Sequence, residues 1–199
     1  MDKNQENESE VFLIVGLGNP GTEYRQTRHN FGFQALEAFA DSHQISLKKA
    51  KFKAILGEGK SFGKKVILAK PLTYMNESGS AVSALLHYFK LDLEQMLVIH
   101  DDLDLPLGTL RLRPEGGTSG QRGMASIIAK LGTQSFPRLR LGIGRPPGQM
   151  DPADYVLQRF SKSEEELQKI VLKTSVEAID CFIQHGLVTA MNRYNGEAG

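Results

Sequence analysis

The chain has 199 residues, 40% of them apolar and 24% charged, with a net charge of +1. About 80 apolar side chains are enough for the core of one domain, and no apolar run reaches the ~18 residues of a membrane span. The polar, acidic first ten residues are unlike a secretory signal or a transit peptide, so a cytoplasmic protein without membrane contact is expected. A single cysteine, Cys181, excludes an internal disulfide framework, and no Cys/His spacing suits structural zinc.

Asp2, Glu6, Glu8 and Glu10 against Lys3 mark residues 1–10 as an acidic tail, expected to be disordered. Val11 to Val15 is a β-branched apolar run closed by a Gly-Pro turn, the pattern of a buried strand, and a loop follows from Gly16 to Arg28. Phe31, Ala35, Leu36, Phe39 and Ala40 recur at helical spacing. Phe52–Glu58 and Lys65–Ala69 read as an antiparallel hairpin around Gly59–Gly63. Asn76 to Phe89 predicts a helix with Val82, Leu85, Leu86 and Phe89 on one face. Strands are expected at Met96–Ile99, Thr109–Leu112 and Arg138–Ile143, with a helix over Gly120–Leu131 after a Gly-rich loop. Pro146-Pro147 marks a loop. Ser163 to His185 predicts a long amphipathic helix opened by a capping box of Ser163 and Glu166. The expected architecture is one α/β domain over residues 11–195, with a mixed, mostly parallel sheet and helices on both faces, and a C-terminal tail at 196–199.

Charge is unevenly spread. Between Arg111 and Arg145 the cations Arg111, Arg113, Arg122, Lys130, Arg138, Arg140 and Arg145 meet only Glu115, a net of +6. Arginine dominance suits bidentate phosphate contact and points to a polyanionic partner, against the plainer reading of a solvated face.

Gly16-Leu-Gly18-Asn-Pro-Gly21 after the first strand matches the dinucleotide fingerprint, but the residues after Gly21 lack apolar periodicity, so no helix N-terminus is aimed at a pyrophosphate. The acid that would hold a ribose is also missing, since Glu37 and Asp41 fall on the first helix. His29 stands in a polar segment just before that helix, where a core-filling histidine is unexpected. His100-Asp101-Asp102-Leu-Asp104 ends a strand with three carboxylates, which could serve Mg²⁺ or orient a histidine. No nucleophile elbow exists, and Cys181 lies on an amphipathic helix face. Histidine with aspartate, without serine or cysteine, points to direct activation of water.

Four ordered motifs carry a family resemblance over Phe12 to about Asn195. They are Val15-Gly-Leu-Gly-Asn-Pro-Gly21 with Tyr24 and Thr27-Arg-His-Asn30; Lys70-Pro-Leu-Thr-Tyr-Met-Asn-Glu-Ser-Gly79; His100-Asp-Asp-Leu-Asp-Leu-Pro106; and Leu139-Arg-Leu-Gly-Ile-Gly144. Together they resemble bacterial-type peptidyl-tRNA hydrolase. The resemblance implies a monomeric, cofactor-independent and metal-independent enzyme that cleaves the ester between a peptide and the 3′ ribose of tRNA. It implies His29 as general base, Asp101 as its orienting partner and Asn19 as a polar group holding substrate or water. Met75 and Asn76 would form part of the channel that binds the 3′ end, Tyr24 and Arg122 would also contact the substrate, and Arg113 and Arg140 would clamp tRNA phosphates. Gln121 and Arg122 stand where the family usually has His-Asn, whose Asn contacts substrate. The fold is shared with plastid group II intron splicing factors, which need no hydrolysis, and a non-catalytic RNA-processing factor is the alternative reading.

Overall fold

The computed structural model describes residues 10–199, so the acidic tail over residues 1–9 lies outside the described part. Glu10 itself is tied to the sheet: its carbonyl accepts from the Lys65 N–H at 3.0 Å and its carboxylate lies 2.7 Å from Lys64 Nζ. The apolar run beside it forms β1 (Val11–Gly16), which pairs in parallel with β4 (Lys64–Pro71) on one side and β5 (Met96–Asp102) on the other. Its side chains alternate between two cores. Phe12 and Ile14 join Phe31, Leu36, Phe39 and Phe182 beneath α1 (Phe31–Ser42) and α5 (Glu165–His185). Leu13 and Val15 join Val82, Leu85, Met124 and Ile127 beneath α2 (Ser78–Phe89) and α3 (Arg122–Leu131). Burial on both faces is why the central strands are continuous apolar runs rather than alternating ones.

The remaining strands are β2 (Lys49–Lys51), β3 (Ala54–Ser61), β6 (Thr109–Arg113), β7 (Arg138–Gly142) and β8 (Gly196–Glu197), in a sheet of order β2-β3-β4-β1-β5-β7-β6-β8. β4, β1, β5 and β7 run parallel; β2, β3, β6 and β8 are added antiparallel. This is the expected single α/β domain with a mixed sheet covered on both faces.

Four local expectations shift. The hairpin reverses at Phe62 and Gly63, with φ of 49° and 78°, at the C-terminal end of the expected Gly59–Gly63 turn. Gly57 and Gly59 are strand residues under Ile45: a Cβ on Gly59 would stand 2.5 Å from Ile45 Cγ1. Phe52 is likewise a turn residue, since Phe52 and Lys53 both have positive φ and fold β2 back onto β3. Instead of the expected box of Ser163 with Glu166, the turn before α5 is tied by Glu164, whose Oε2 accepts from the Ser161 N–H at 2.7 Å and hydroxyl at 2.8 Å. Finally, the segment expected as a C-terminal tail begins with β8, paired to Thr109 and Leu110 and continued by an Ala198 N–H bond to Gly108 O at 2.7 Å. Two short helices, α4 (Pro152–Val156) and α6 (Leu187–Tyr194), flank α5. Among the described residues no helix is long and apolar enough to cross a membrane.

Candidate active site

The parallel strands β1 and β5 end side by side, and α1 starts directly on top of them. A Cβ on Gly16 would lie 2.4 Å from the Gly32 carbonyl oxygen, and one on Gly32 would lie 2.3 Å from that of Ile99. The glycines therefore allow backbone to touch backbone, and the Leu17 N–H donates to Ile99 O at 2.9 Å across the junction. This close approach brings the 3-10 turn Arg28–Asn30, just before α1, to the end of β5. Loops at the carboxyl ends of parallel strands are where open sheets bind ligands.

His29 Nδ1 lies 2.8 Å from Asp101 Oδ2, both groups being buried. A carboxylate only accepts, so Nδ1 carries the hydrogen and Nε2 is left bare. Burial opposes a charged ring, but the Asp101 charge and hydrogen bond outweigh it and hold the His29 pKa above its ordinary value, while the Arg122 charge pulls the other way. The second Asp101 oxygen accepts from Gln121 Nε2 at 3.1 Å. That amide is fully used: its other hydrogen reaches Met75 Sδ at 3.2 Å, and its oxygen caps α3 by accepting from the Met124 N–H at 2.7 Å.

Asn19 is fixed by a second network. Its backbone N–H donates to Asn30 Oδ1 at 2.8 Å and its carbonyl accepts from Asn30 Nδ2 at 3.0 Å. Its own Oδ1 accepts from the Met75 N–H at 2.9 Å, which leaves the Asn19 NH₂ as the free end of the side chain. Asn30 and Gln121 are positioning groups that the sequence reading did not assign. Asn30 immediately before a helix and Gln121 between a Gly-rich loop and a helix were the available signals.

A cavity of about 470 Å³ opens onto these groups; Asn19, His29, Met75, Asn76, Asp101 and Arg122 all line it. Its far wall is Asp151, Pro152, Ala153, Val156 and Leu157, from α4 and its cap. That helix was missed, although Asp151 followed by Pro152 is a helix-start pattern, and the Asp151 carboxylate does accept from the Ala153 N–H at 2.7 Å.

Three of the residues expected to bind substrate are not part of the cavity lining. Tyr24 does not line the cavity; its carbonyl accepts from the Thr27 hydroxyl at 2.8 Å inside the loop before His29. Arg113 is exposed on β6, beside Arg138 in the register with β7. Arg140, on β7, gives Nε to Asp102 Oδ2 at 2.7 Å and so is partly committed within the protein. Arg138 is 1% exposed, stacked 4.3 Å over the Phe136 ring and donating to the Gly116 and Gln134 carbonyls; burial brings its pKa down to about 10. The cation stretch is thus part scaffold and part surface. The three carboxylates after His100 diverge too: Asp101 holds His29, Asp102 holds Arg140, and Asp104 pairs with Arg145. Among the described residues, no group of three or more His, Cys, Asp and Glu side chains is placed to share a metal ion.

The chain is 50% identical over 186 residues to a peptidyl-tRNA hydrolase of Chloroflexus aurantiacus, covering 93% of this chain and 99% of the relative. It is 51% identical over 182 residues to one from Exiguobacterium sibiricum, covering 92% and 98%. A crystal structure of peptidyl-tRNA hydrolase from Acinetobacter baumannii superposes with a TM-score of 0.88 at 37% identity, covering 96% of this chain and 98% of the other. The peptidyl-tRNA hydrolase family model matches residues 13–199, and the chain belongs to that family.

Proposed function

We propose that this chain hydrolyses the ester joining a peptide to the 3′ ribose of tRNA, and that His29 is the base that activates water. The observation that carries the reading is a histidine whose Nδ1 is fixed on a buried aspartate while its Nε2 is bare beside a cavity. Water gives a proton to Nε2 as its oxygen attacks the ester carbonyl. The tetrahedral intermediate then expels the ribose 3′ oxygen, which takes that proton from His29, leaving free tRNA and a peptide carboxylic acid that releases its remaining proton to solvent. Asp101 stabilises the imidazolium in between. Asn19, with its oxygen already bonded to Met75, offers NH₂ to the developing oxyanion, and Asn76 lines the same cavity; one such donor is worth about 3 kcal/mol in acyl transfer.

Arg122 is exposed at the cavity, where a guanidinium can donate to a carbonyl or phosphate of the 3′ end but cannot accept from water. Arg113, together with the terminal nitrogens of Arg140, serves acceptor-stem phosphates, a sequence-independent contact. The enzyme works as a monomer in the cytoplasm, where tRNA is recycled. A non-catalytic RNA-processing factor on the same fold would give no task to the bare Nε2.

The test is release of an N-blocked amino acid from tRNA by the purified protein with no metal added. Turnover by the wild type and none by His29→Ala, with tRNA binding kept within a few fold, is the expected result. Wild-type turnover in His29→Ala removes His29 from the mechanism.

A further inference from the structure

Arg28 precedes the base, yet its side chain contacts a different part of the molecule. The guanidinium carbon lies 4.5 Å from the centre of the Tyr155 ring and 4.7 Å from that of Phe160. Nη2 donates to Glu164 Oε2 at 2.7 Å, while Nε and Nη1 are buried without a partner. The side chain is 6% exposed. Despite its own burial cost, Glu164 has its pKa drawn down to about 2 by Arg28 and by Ser161, so it is charged at every working pH.

A buried cation with two orphaned donors is an expensive way to fill space; a methionine or leucine would do so without the desolvation penalty. What a guanidinium adds is direction. Two ring faces and one carboxylate fix its plane, and the surroundings make that plane a junction. The Arg28 N–H donates to Gln158 O at 2.9 Å, and Thr27 bridges Arg159. Phe160 packs on Phe31 with ring centres 4.9 Å apart, and the Tyr155 hydroxyl donates at 2.8 Å to the carbonyl of Ile143, which follows β7 and whose N–H donates to Asp102 O at the end of β5. Thus the turn bearing His29 is held from one side by Asp101 and from the other by the stretch 155–164, which continues the α4 wall of the cavity.

We propose that the Arg28–Glu164 clasp is a positioning device for the reaction, setting the turn so that His29 meets Asp101. The inference rests on His29 being the base. It assigns to Arg28 and Glu164 no contact with substrate; they act through the His29–Asp101 pair.

The experiment compares Glu164→Gln and Arg28→Lys with wild type, each alone and combined with Asp101→Asn. Glu164→Gln keeps the size of the carboxylate and removes its charge; Arg28→Lys keeps the charge and removes the planar fit. Each single variant is expected to lower kcat about tenfold, as a small misplacement of a catalytic group does, with KM changed less than twofold. NMR titration, which reports on folded molecules, should show the His29 midpoint moved down, because the Asp101 contact loosens while burial persists. In the Asp101→Asn background the same substitutions should cost less than twofold, since no pair remains to misplace. Equal losses in both backgrounds, or an unmoved His29 titration, would overturn the proposal and leave the clasp a stability element. If His29→Ala keeps full turnover, the base assignment fails separately, because the titration shift needs no turnover.

Discussion

At His29 two groups of opposite sign act on one ring. Asp101 raises its pKa and Arg122 lowers it, so the two substitutions should move the pH profile in opposite directions. The base must be neutral, so kcat/KM rises with pH through the His29 midpoint, which lies above the ordinary value of about 6.5. Asp101→Asn leaves the burial and removes the charge: the midpoint should fall below ordinary, and activity should drop by less than His29→Ala causes. Arg122→Ala should raise the midpoint and cost about 2 kcal/mol of transition-state stabilisation, while Arg122→Asn keeps kcat/KM within about tenfold. A pH–rate series on the three variants checks the order. Because the folded pKa of His29 lies above the unfolded one, the protonated pair stabilises the protein below the unfolded value, and this contribution is lost as pH rises through the folded value. Gln121→Ala strands both Asp101 Oδ1 and the Met124 N–H. It should cost about 1–2 kcal/mol in urea unfolding, the scale of a lost helix cap, and lower kcat as well.

Between elements, the contact of α1 with the strand ends is backbone on backbone. A methyl on Gly32 would meet the Ile99 carbonyl oxygen at 2.3 Å and the Leu17 nitrogen at 2.7 Å, atoms that cannot step aside. At Gly123 the nearest atom is Met75 Sδ at 2.6 Å, the end of a flexible side chain. Gly123→Ala should therefore fall in the range of ordinary overpacking, about 1–3 kcal/mol, and Gly32→Ala above it. Urea titration ranks them. Gly32→Ala should also weaken the His29–Asp101 contact, since it lifts the helix that carries the turn.

Across the whole molecule, the basic residues of β6 and β7 divide by what holds them. Arg113→Ala removes an exposed cation: tRNA binding should lose less than one unit of its log–log salt slope, with the melting temperature unchanged. Arg140→Ala should lower the slope similarly but also the melting temperature, because Asp102, whose side chain is 0% exposed, would be left a buried unpaired charge at a cost of about 3 kcal/mol. Calorimetry and binding at several salt concentrations separate the two roles. Equal melting temperatures would mean that Asp102 finds another partner.

Periodicity in the sequence by itself determined the α/β class, the central strands and the four longer helices, and the family resemblance singled out Asp101 among three carboxylates as the partner of His29. Those features depend on side-chain spacing along one segment, or on motifs that travel together. Tertiary structure decided most of the rest through contacts between separate segments, whereas the α4 start at Asp151-Pro152 is a local signal. Gly59 continues β3 beneath Ile45, and Glu164, in the turn before α5, holds Arg28, 136 residues away. Gln121 reaches Asp101 and Asn30 reaches Asn19 only once β1, β5 and α3 are assembled. The arginines of β6 and β7 look alike in the sequence, and burial beside Asp102 or Phe136 is what makes some of them scaffold and leaves others on the surface.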